Sequence, residues 1–343
     1  MPVQGFTSLR SWALGKQSTH GTAVAPSLAV PWGGTLEIDP QWADPEGVDV
    51  GSIDPVLAPY RGALDITAPL SGPLDYNRLP LIAAAAWRGG VSATGGGAAK
   101  TWAHQALSLS ATTLDEFSGQ WGDDVTSEAF RFWDGVIETV ELSFDESLGP
   151  WQASLSWRFG SVNPRVVPVS GLLLSSNTPW VYGADTALYI DNTAGGIGGT
   201  QISDALRAAT ITIENTIDVK RYANGSNTRF AVGGYGLTKR SVRASLTFDK
   251  ASGVIGATGE INRWLATDPV MRYLKIAATS TAVIPTTSTA YSWDFRLGGD
   301  WRTRSDGEIG GNATVTLELG NRYDATLGYP FTQTVVCDRA TLT

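Results

Sequence analysis

The stretch VIETVELSFDESLGPWQASLSWRF, residues 136–159, alternates apolar and polar side chains on both sides of a short polar segment. A strict period of two places successive side chains on opposite faces of a β-strand. The Gly-Pro pair in the middle is typical of a turn, so the stretch predicts a β-hairpin. One face of this hairpin is large and apolar and requires a core, whereas the other is small and polar and meets water. The apolar positions are Val140, Leu142, Phe144, Trp151, Ala153, Leu155, Trp157 and Phe159.

The composition is that of a folded chain rich in strands. Of its 343 residues, 42% are hydrophobic and 17% are charged, which favours a packed core over disorder. Glycine (39) and tryptophan (13) are frequent, while methionine and histidine occur twice each. The formal net charge of -8 argues against a surface that wraps nucleic acid, which needs clustered cations. It is compatible with a protein past which DNA slides without binding, because an acidic wall repels phosphates.

Cysteine usage and the first residues bear on the compartment. The single cysteine, Cys337, excludes a disulfide framework within the chain and a cysteine-based metal site. The opening MPVQGFTSLRSWALGKQ lacks the apolar core of a signal peptide, and no apolar run has the length of a membrane-spanning helix. We therefore expect a chain that is made and folded in a cytoplasm and does not contact a membrane.

Further strand and helix patterns surround the hairpin. Alternating or short apolar segments predict strands at 33–39, 63–67, 102–117, 210–214, 242–248, 272–277, 293–297 and 313–319. Helix patterns occur at 74–88, with Asp75 as N-cap, and at 258–266, and a short one at 203–208. Residues 7–26 have the composition of a loop, and residues 161–207 show little periodicity before the short helix.

Landmarks of the first half recur in the second half at a nearly constant spacing. Leu36 corresponds to Ile211, Trp87 to Trp264, Phe117 to Phe295 and Leu142 to Leu317, at separations of 175 to 178 residues. This period is far too long for a solenoid repeat. The sequence therefore predicts a mainly β protein of two tandem antiparallel β-sandwich or split-barrel units, residues 1–170 and 171–343, each with a flanking α-helix.

Motifs for catalysis or cofactor binding are weak. His20 and His104 have no cysteine or serine partner nearby in sequence, which favours two structural histidines. The pairs Asp123-Asp124 and Asp145-Glu146 could serve acid–base chemistry or hold a cation, but such pairs are more often solvated turn residues. The Gly-rich segment 195–199 lacks the following Lys-Ser/Thr of a phosphate loop. We expect no catalytic residue, no cofactor and no metal site.

Several segments resemble the major tail tube proteins of long-tailed, non-contractile (siphovirus-type) bacteriophages. They are GKQSTHGTAVAP at 15–26, ALYIDNTAGGIGGTQI at 187–202, ITIENTIDVKRYANG at 211–225, and the closing strand, Gly-rich turn and strand. The resemblance covers nearly the whole chain. It rests on the general character of these segments and not on an invariant catalytic signature. It implies a β-sandwich fold with a flanking helix, rings whose inner sheets join into a lumenal barrel, and rings that stack into a DNA-conducting tube.

The resemblance also implies partners. The chain would associate with itself in rings and stacked tubes, and with the tape measure, tail terminator and tail-tip proteins, in a virion tail assembled in the host cytoplasm. Double-stranded DNA would pass through the tube transiently and without sequence specificity. If one chain carries two sandwich units, three chains close a ring of pseudo-sixfold symmetry. Six chains per ring are the alternative.

The alternation assigns a set of side chains to the bore of such a tube. They lie on the face opposite Val140, Leu142, Leu155, Val315 and Leu317. An acidic, hydroxyl-rich wall would keep DNA from binding. The expected lumen-facing residues are Glu138, Glu141, Ser143, Ser154, Ser156, Thr314, Thr316 and Glu318.

Two long loops at equivalent places in the proposed units carry opposite charges, which predicts contacts between subunits or rings. The loop at 39–60 is acidic, and the loop at 215–240 is basic. Exposed ion pairs contribute about 0–1 kcal/mol each, so their expected role is specificity. The alternative is two solvated loops without a shared role. The residues concerned are Asp44, Glu46, Asp49 and Asp54, and Lys220, Arg221, Arg229, Lys239 and Arg240.

Two other classes of function compete with the tube subunit. The tryptophans and acidic loops could belong to a carbohydrate-binding β-sandwich protein such as a lectin or adhesin, and a carboxylate pair could serve a glycoside hydrolase. Trp151, Trp157 and Trp293 fall on the apolar faces of strands, which favours a core role for them. The assembled state of the purified protein would discriminate among these functions.

Overall fold

The computed structural model describes residues 10–43, 60–106, 113–123, 129–166, 178–222, 232–251, 255 and 259–342. Strands contain 59% of the residues and helices contain 7%, which confirms a mainly β chain. The strands of the first half are β1 (Arg10–Lys16), β2 (Leu28–Val30), β3 (Gly33–Gly34), β4 (Glu37–Ala43), β5 (Tyr60–Pro73), β6 (Lys100–Gln105), β7 (Phe117–Asp123), β8 (Ala129–Phe144), β9 (Gln152–Phe159) and β10 (Ser161–Val166).

The strands of the second half follow in the same manner. They are β11 (Thr186–Asp191), β12 (Gln201–Ile202), β13 (Leu206–Lys220), β14 (Gly234–Asp249), β15 (Arg272–Val283), β16 (Ala290–Ile309), β17 (Asn312–Asn321) and β18 (Phe331–Cys337). Every strand pairing is antiparallel.

The hairpin at 136–159 forms as the sequence predicts. Val140 lies opposite Leu155, and Leu142 lies opposite Ala153, across β8 and β9. In the connecting turn Asp145 Oδ1 accepts a hydrogen bond of 3.0 Å from the Ser147 amide. Asp145 is therefore a turn residue that bonds the backbone of its own turn.

A continuous sheet crosses both halves of the chain. Its order is β4–β5–β9–β8–β13–β14–β17–β16, in which β8 and β16 take part with their C-terminal halves. The pairing of β8 with β13 joins the two halves, with Phe144 opposite Ala209 and Thr139 opposite Glu214. Within the described residues, β4 and the C-terminal half of β16 are paired on one side only, so they are the edges of this sheet.

Two further sheets, here called cover sheets, pack on the apolar face of the continuous sheet. Cover sheet 1 has the order β10–β8–β7–β1–β2, and cover sheet 2 has the order β12–β11–β15–β16–β18–β6. The strands β8 and β16 enter the cover sheets with their N-terminal halves. Strand β6 belongs to the first half of the chain but pairs with β18, so it completes the cover sheet of the second half.

Glycine is required where β8 passes from cover sheet 1 into the continuous sheet. A Cβ atom on Gly135 would lie 2.2 Å from the Phe159 ring, closer than side chains approach one another. Asp134, directly before it, has φ of 58°, in the left-handed region that a non-glycine residue adopts at a cost. The bend in β8 therefore depends on these two adjacent positions.

Aromatic rings fill the space between the sheets. Phe132 of cover sheet 1 packs on Phe159 at a centroid distance of 4.3 Å, and Trp293 of cover sheet 2 packs on Trp151 at 5.0 Å. Trp151 and Trp157 are fully buried, and Trp293 is 1% exposed. The tryptophans on the strand faces therefore form the core, as the alternation predicts, and are not available to stack on a sugar.

The helices are α1 (Leu79–Ala86) and α2 (Glu260–Trp264). Every residue of α1 is buried, so the helix lies inside the molecule and the expected flanking position is wrong for it. The helix begins at Leu79, later than predicted, because Asp75 accepts the amides of Asn77 and Arg78 in a turn before it. In α2 Glu260 is buried against Arg272, with an oxygen–nitrogen distance of 2.9 Å, and anchors the short helix.

Other expected elements differ from the structure. The segment 203–208 is not helical, because β13 already begins at Leu206, where its apolar residues pair with β14. The expected strand at 102–117 is divided, since β6 ends at Gln105 and β7 begins at Phe117. Strands β1, β2, β10, β11 and β12 lie where no strand was predicted. Among the helices of the described ranges, none is long and apolar enough to cross a membrane.

His104 provides a pH test of the core. Its ring is buried, stacks on Trp102 at 5.9 Å, and has no hydrogen-bond partner among the described residues. Burial, followed by the charges of Arg88 and Lys16, lowers the pKa of His104 to about 3. The unfolded chain takes up a proton near pH 6.5, whereas the folded chain does not, so the free energy of unfolding falls as the pH drops below 6.5.

We expect His104→Phe to remove this contribution. Between pH 7 and pH 4.5 the free energy of unfolding of the wild type should fall by about 2.5 kcal/mol more than that of the variant. Urea denaturation at the two pH values measures the difference. Equal pH dependence in both proteins would show that His104 is not held neutral in the folded state.

Candidate functional site

The polar face of the continuous sheet, defined as the side chains opposite the core on β5, β9, β8, β13, β14 and β17, is the candidate functional surface. Cross-strand pairing brings the predicted residues of the first half together, with Glu141 opposite Ser154 and Ser156 opposite Thr139. Glu141 and Ser154 are exposed and Ser156 is half-buried, whereas the alternate residues Val140, Leu142 and Leu155 are at most 2% exposed. The alternation places these side chains on one face, as predicted.

The predicted residues of the second half lie on the same face. Thr316 is opposite Thr247, and their hydroxyl oxygens are 2.8 Å apart. Glu318 is opposite Ser245 and is half-buried. Thr314 differs, because it is only 3% exposed. Both Thr314 and its neighbour Val315 are buried, so the alternation ends there and Thr314 does not belong to the solvent-facing surface of the chain.

Hydroxyl groups that were not predicted fill the space between the two predicted sets. Thr210 and Thr212 of β13 lie opposite Ser143 and Glu141 of β8, and Ser245 of β14 lies opposite Thr210. The alternation TITIENT at 210–216 carries the signal for these positions. This alternation would predict the positions of Thr210 and Thr212 on the polar face if the pairing of β13 with β8 were known. The sequence alone does not show that pairing.

Ion pairs neutralise two arginines of this face. Arg158 of β9 contacts Asp65 of β5 and lies 2.5 Å from Glu138 of β8. Burial opposes the charge of Arg158, but the hydrogen bond and charge of Glu138, with Asp65, outweigh burial and raise its pKa. Arg243 lies 2.6 Å from Glu214. Ion pairs within the described part of the chain do not involve Glu141 or Glu318. The net charge of the face is negative, because its acids outnumber its bases: Asp65, Glu138, Glu141, Glu214, Asp218 and Glu318 against Arg158, Arg243, Lys220 and Lys239.

The charged loops are only partly described. Asp44, Glu46, Asp49, Asp54 and Arg229 lie outside the described residues. Lys220 and Lys239 are exposed on β13 and β14, so the hairpin extends into the segment expected to be a loop.

Two of the basic residues contact their own chain. Arg221 donates a hydrogen bond of 3.0 Å to the Leu64 carbonyl of β5. Arg240 lies within β14, where its Nε donates to Asn215 Oδ1 at 2.9 Å and its guanidinium lies 5.9 Å from the Phe331 ring centre. Burial lowers the pKa of Arg240 to about 10. The expectation that Arg240 is a free cation of an intersubunit loop is therefore wrong, because its charge is half-buried against its own chain.

The remaining candidate motifs are local structure or lie elsewhere. In the Gly-rich segment, the amides of Gly198 and Thr200 donate to Asp191 at 2.8 and 2.9 Å, which is a turn closed by its own aspartate. Asp124 and the side chain of Asp123 are outside the described residues. Among the described residues, one group of potential metal ligands converges outside the polar face: His20, Glu116 and Asp134.

No protein-family model matches this chain, and no curated protein is significantly similar to it in sequence. Its function is therefore inferred from its own residues and geometry.

Removal of Arg158 tests the ion pairs of the polar face. We expect Arg158→Gln to lower the free energy of unfolding by about 2 kcal/mol, because Asp65 and Glu138 lose a shared hydrogen-bonded partner. Arg243→Gln is the matched control, since its pair with Glu214 is more exposed and is worth about 0–1 kcal/mol. Urea denaturation measures both, and equal losses would contradict a special role of Arg158.

Proposed function

We propose that this chain is the structural subunit of a bacteriophage tail tube. In this proposal the polar face lines the channel, and double-stranded DNA passes along it into the host cell. The supporting observation is the continuous sheet itself, which has one face buried under the cover sheets and the other polar, rich in hydroxyl groups and net negative. Such a face is suited to contact with water and weakly repels phosphate, as a conduit for DNA requires.

The proposal includes two tandem sandwich units, and the strand pairings support it. In the first half β1 pairs with β2 and β7, β4 with β5, β5 with β9, and β8 with β7, β9 and β10. In the second half β11 pairs with β12 and β15, β13 with β14, β14 with β17, and β16 with β15, β17 and β18. The two sets correspond strand for strand, in the same chain order.

Details of the long strands also correspond. The pairing of β8 with β9 is shifted by a bulge at Glu138, and that of β16 with β17 is shifted by a bulge at Arg302. Counting from these bulges, Gly135 corresponds to Gly299. A Cβ atom on Gly299 would lie 2.1 Å from the Gly320 carbonyl oxygen, so glycine is required at both positions. The strands β3 and β6 have no counterpart in the second half, and β6 accounts for a change of spacing between the units.

The junction of β8 with β13 is a template for contacts between chains. If the units are equivalent, the edge of unit 2 on β16 pairs with β4 of the next chain as β8 pairs with β13 within the chain. The residues that correspond to the opposed pair Thr139 and Glu214 are then Thr303 of one chain and Asp39 of its neighbour, and these two should lie opposite each other. Edge strands with unpaired backbone groups readily take up such a partner. Three chains close a ring of pseudo-sixfold symmetry, and these rings stack into the tube.

The partners in this proposal are further copies of the chain and the proteins at the two ends and the centre of a tail. The tape measure, terminator and tail-tip proteins follow from the resemblance described above, as does location in the virion. An unduplicated arrangement, with six chains in each ring, is the alternative that the following experiment separates from the first.

A disulfide ladder tests both the ring and its register. We expect the double variant Asp39→Cys and Thr303→Cys to form disulfides between chains in assembled tubes, because directly opposed residues of antiparallel strands lie about 4.5–5.5 Å apart. Non-reducing electrophoresis should show a ladder that ends at three chains. A ladder that ends at six would contradict the trimeric ring, and failure to form tubes or cross-links would contradict the proposed function.

Two controls calibrate the ladder. Thr139→Cys with Glu214→Cys, the corresponding pair within one chain, should form an internal disulfide and leave the chain monomeric on the gel. Asp39→Cys with Arg304→Cys places the second thiol on the opposite face of β16 and should not cross-link. The native Cys337 is fully buried and should not contribute.

Charge reversal on the polar face tests the channel. Tubes of the double variant Glu141→Lys and Glu318→Lys should retain linear double-stranded DNA at low salt in a nuclease-protected form, whereas wild-type tubes should not. Tubes with the exposed acids Glu146 and Asp268 changed to Lys are the control, and any DNA they bind should remain open to nuclease. Retained DNA that is digested equally in both variants would place Glu141 and Glu318 outside the bore.

A further inference from the structure

Three potential metal ligands from distant parts of the chain meet beside the bend of β8. His20 comes from the segment after β1, Glu116 precedes β7, and Asp134 lies in β8. His20 Nδ1 is 2.8 Å from Glu116 Oε2 and 3.6 Å from Asp134 Oδ1, and ligand atoms of all three lie within 4.8 Å of one another. Nitrogen and oxygen ligands of a tetrahedral zinc ion lie about 3.3–3.5 Å from one another, so small rotations of these side chains bring the spread to that of a single-ion site.

The second nitrogen of His20 fixes the orientation of the ring. Nε2 lies 2.8 Å from the Val232 carbonyl oxygen, which can only accept, so Nε2 carries a proton. In the neutral ring the Nδ1 lone pair then faces the two carboxylates. That arrangement is repulsive unless a proton on Nδ1 or a metal ion lies between the three groups. A histidine that donates one N–H to a backbone carbonyl and offers its other nitrogen is the usual arrangement at protein metal sites.

Hydrogen bonds to the oxygen that faces His20 hold the Asp134 carboxylate in place. Its Oδ1 accepts hydrogen bonds from the Gln17 side chain at 2.9 Å and from the Gly21 amide at 2.7 Å. The Asp134 side chain is 1% exposed, that of Glu116 is 20% exposed and that of His20 is 32% exposed. Glu116 also lines a cavity of about 440 Å³, together with Lys220 and Tyr235.

We propose that His20, Glu116 and Asp134 bind one divalent transition-metal ion of the Zn²⁺ or Mn²⁺ type. One imidazole nitrogen and two carboxylates suit these ions, and the two negative charges match a divalent cation. A proton on Nδ1 balances only one of the two carboxylates. The ion fastens the segment after β1 to cover sheet 1 and, through the hydrogen bond of His20 to Val232, to the start of β14. This inference is independent of the proposed tube function.

Metal content and thermal stability test the site. The untagged wild-type chain, stripped with EDTA and incubated with Zn²⁺ or Mn²⁺ at pH 7.5, should retain about one ion per chain after desalting, and its Tm should rise by several degrees. His20→Ala and Glu116→Gln should each lose at least about tenfold in affinity for the ion. Asp65→Asn, which removes a carboxylate from the polar face, should bind the ion as the wild type does.

Two results would overturn the site. One is a wild type that retains no stoichiometric Zn²⁺ or Mn²⁺ and shows no change in Tm, in which case the cluster is an ion pair of His20 with Glu116. The other is equal affinity in wild type and His20→Ala. The wild-type titration is informative by itself, so the test does not depend on the folding of any variant.

Discussion

The pairing of β8 with β13 is the contact on which the rest of the structure depends. It makes one sheet out of strands from both halves and so gives the molecule a single polar face and a single core beneath it. Asn215 holds the junction from the core side, because its amide nitrogen donates to the Ala86 carbonyl at 2.7 Å and to the Ile137 carbonyl at 3.1 Å. One buried side chain thus ties β13 to the end of α1 and to β8. A buried polar group that is fully bonded in this way specifies a unique arrangement.

The bends of β8 and β16 follow from the same constraint. A strand that lies in the continuous sheet with one half and in a cover sheet with the other half must turn sharply between them. Gly135 and Gly299 allow the close approach of backbone and ring that the turn requires. Once both strands bend, the cover sheets lie over the apolar face, and residues such as Phe132 and Trp293 reach the rings of the continuous sheet.

The sequence was informative where one face of a strand is buried and the other is wet. The alternation at 136–159 predicted the hairpin and the face of Glu141 and Ser154 correctly. It was not informative for β10, whose short sequence SVNPRV contains Pro164, a residue that argues against a strand. Nor was it informative for Arg240, whose burial depends on Phe331 and Asn215, far away in the chain. In the proposed alignment of the units Trp87 and Trp264 correspond, since both lie at helix ends. Phe117 and Phe295 do not, because β6 lengthens the first unit and moves the spacing.

The polar face is acidic although it contains arginines. Arg158 and Arg243 lie on this face, so its negative net charge does not come from an absence of basic residues. Each arginine lies against a carboxylate on a neighbouring strand, which removes it as an isolated partner for phosphate, while hydroxyl groups occupy most of the remaining positions. A wall of that kind weakly repels a polyanion over most of its area, and the exposed cations Lys220 and Lys239 lie toward the tip of the β13–β14 hairpin.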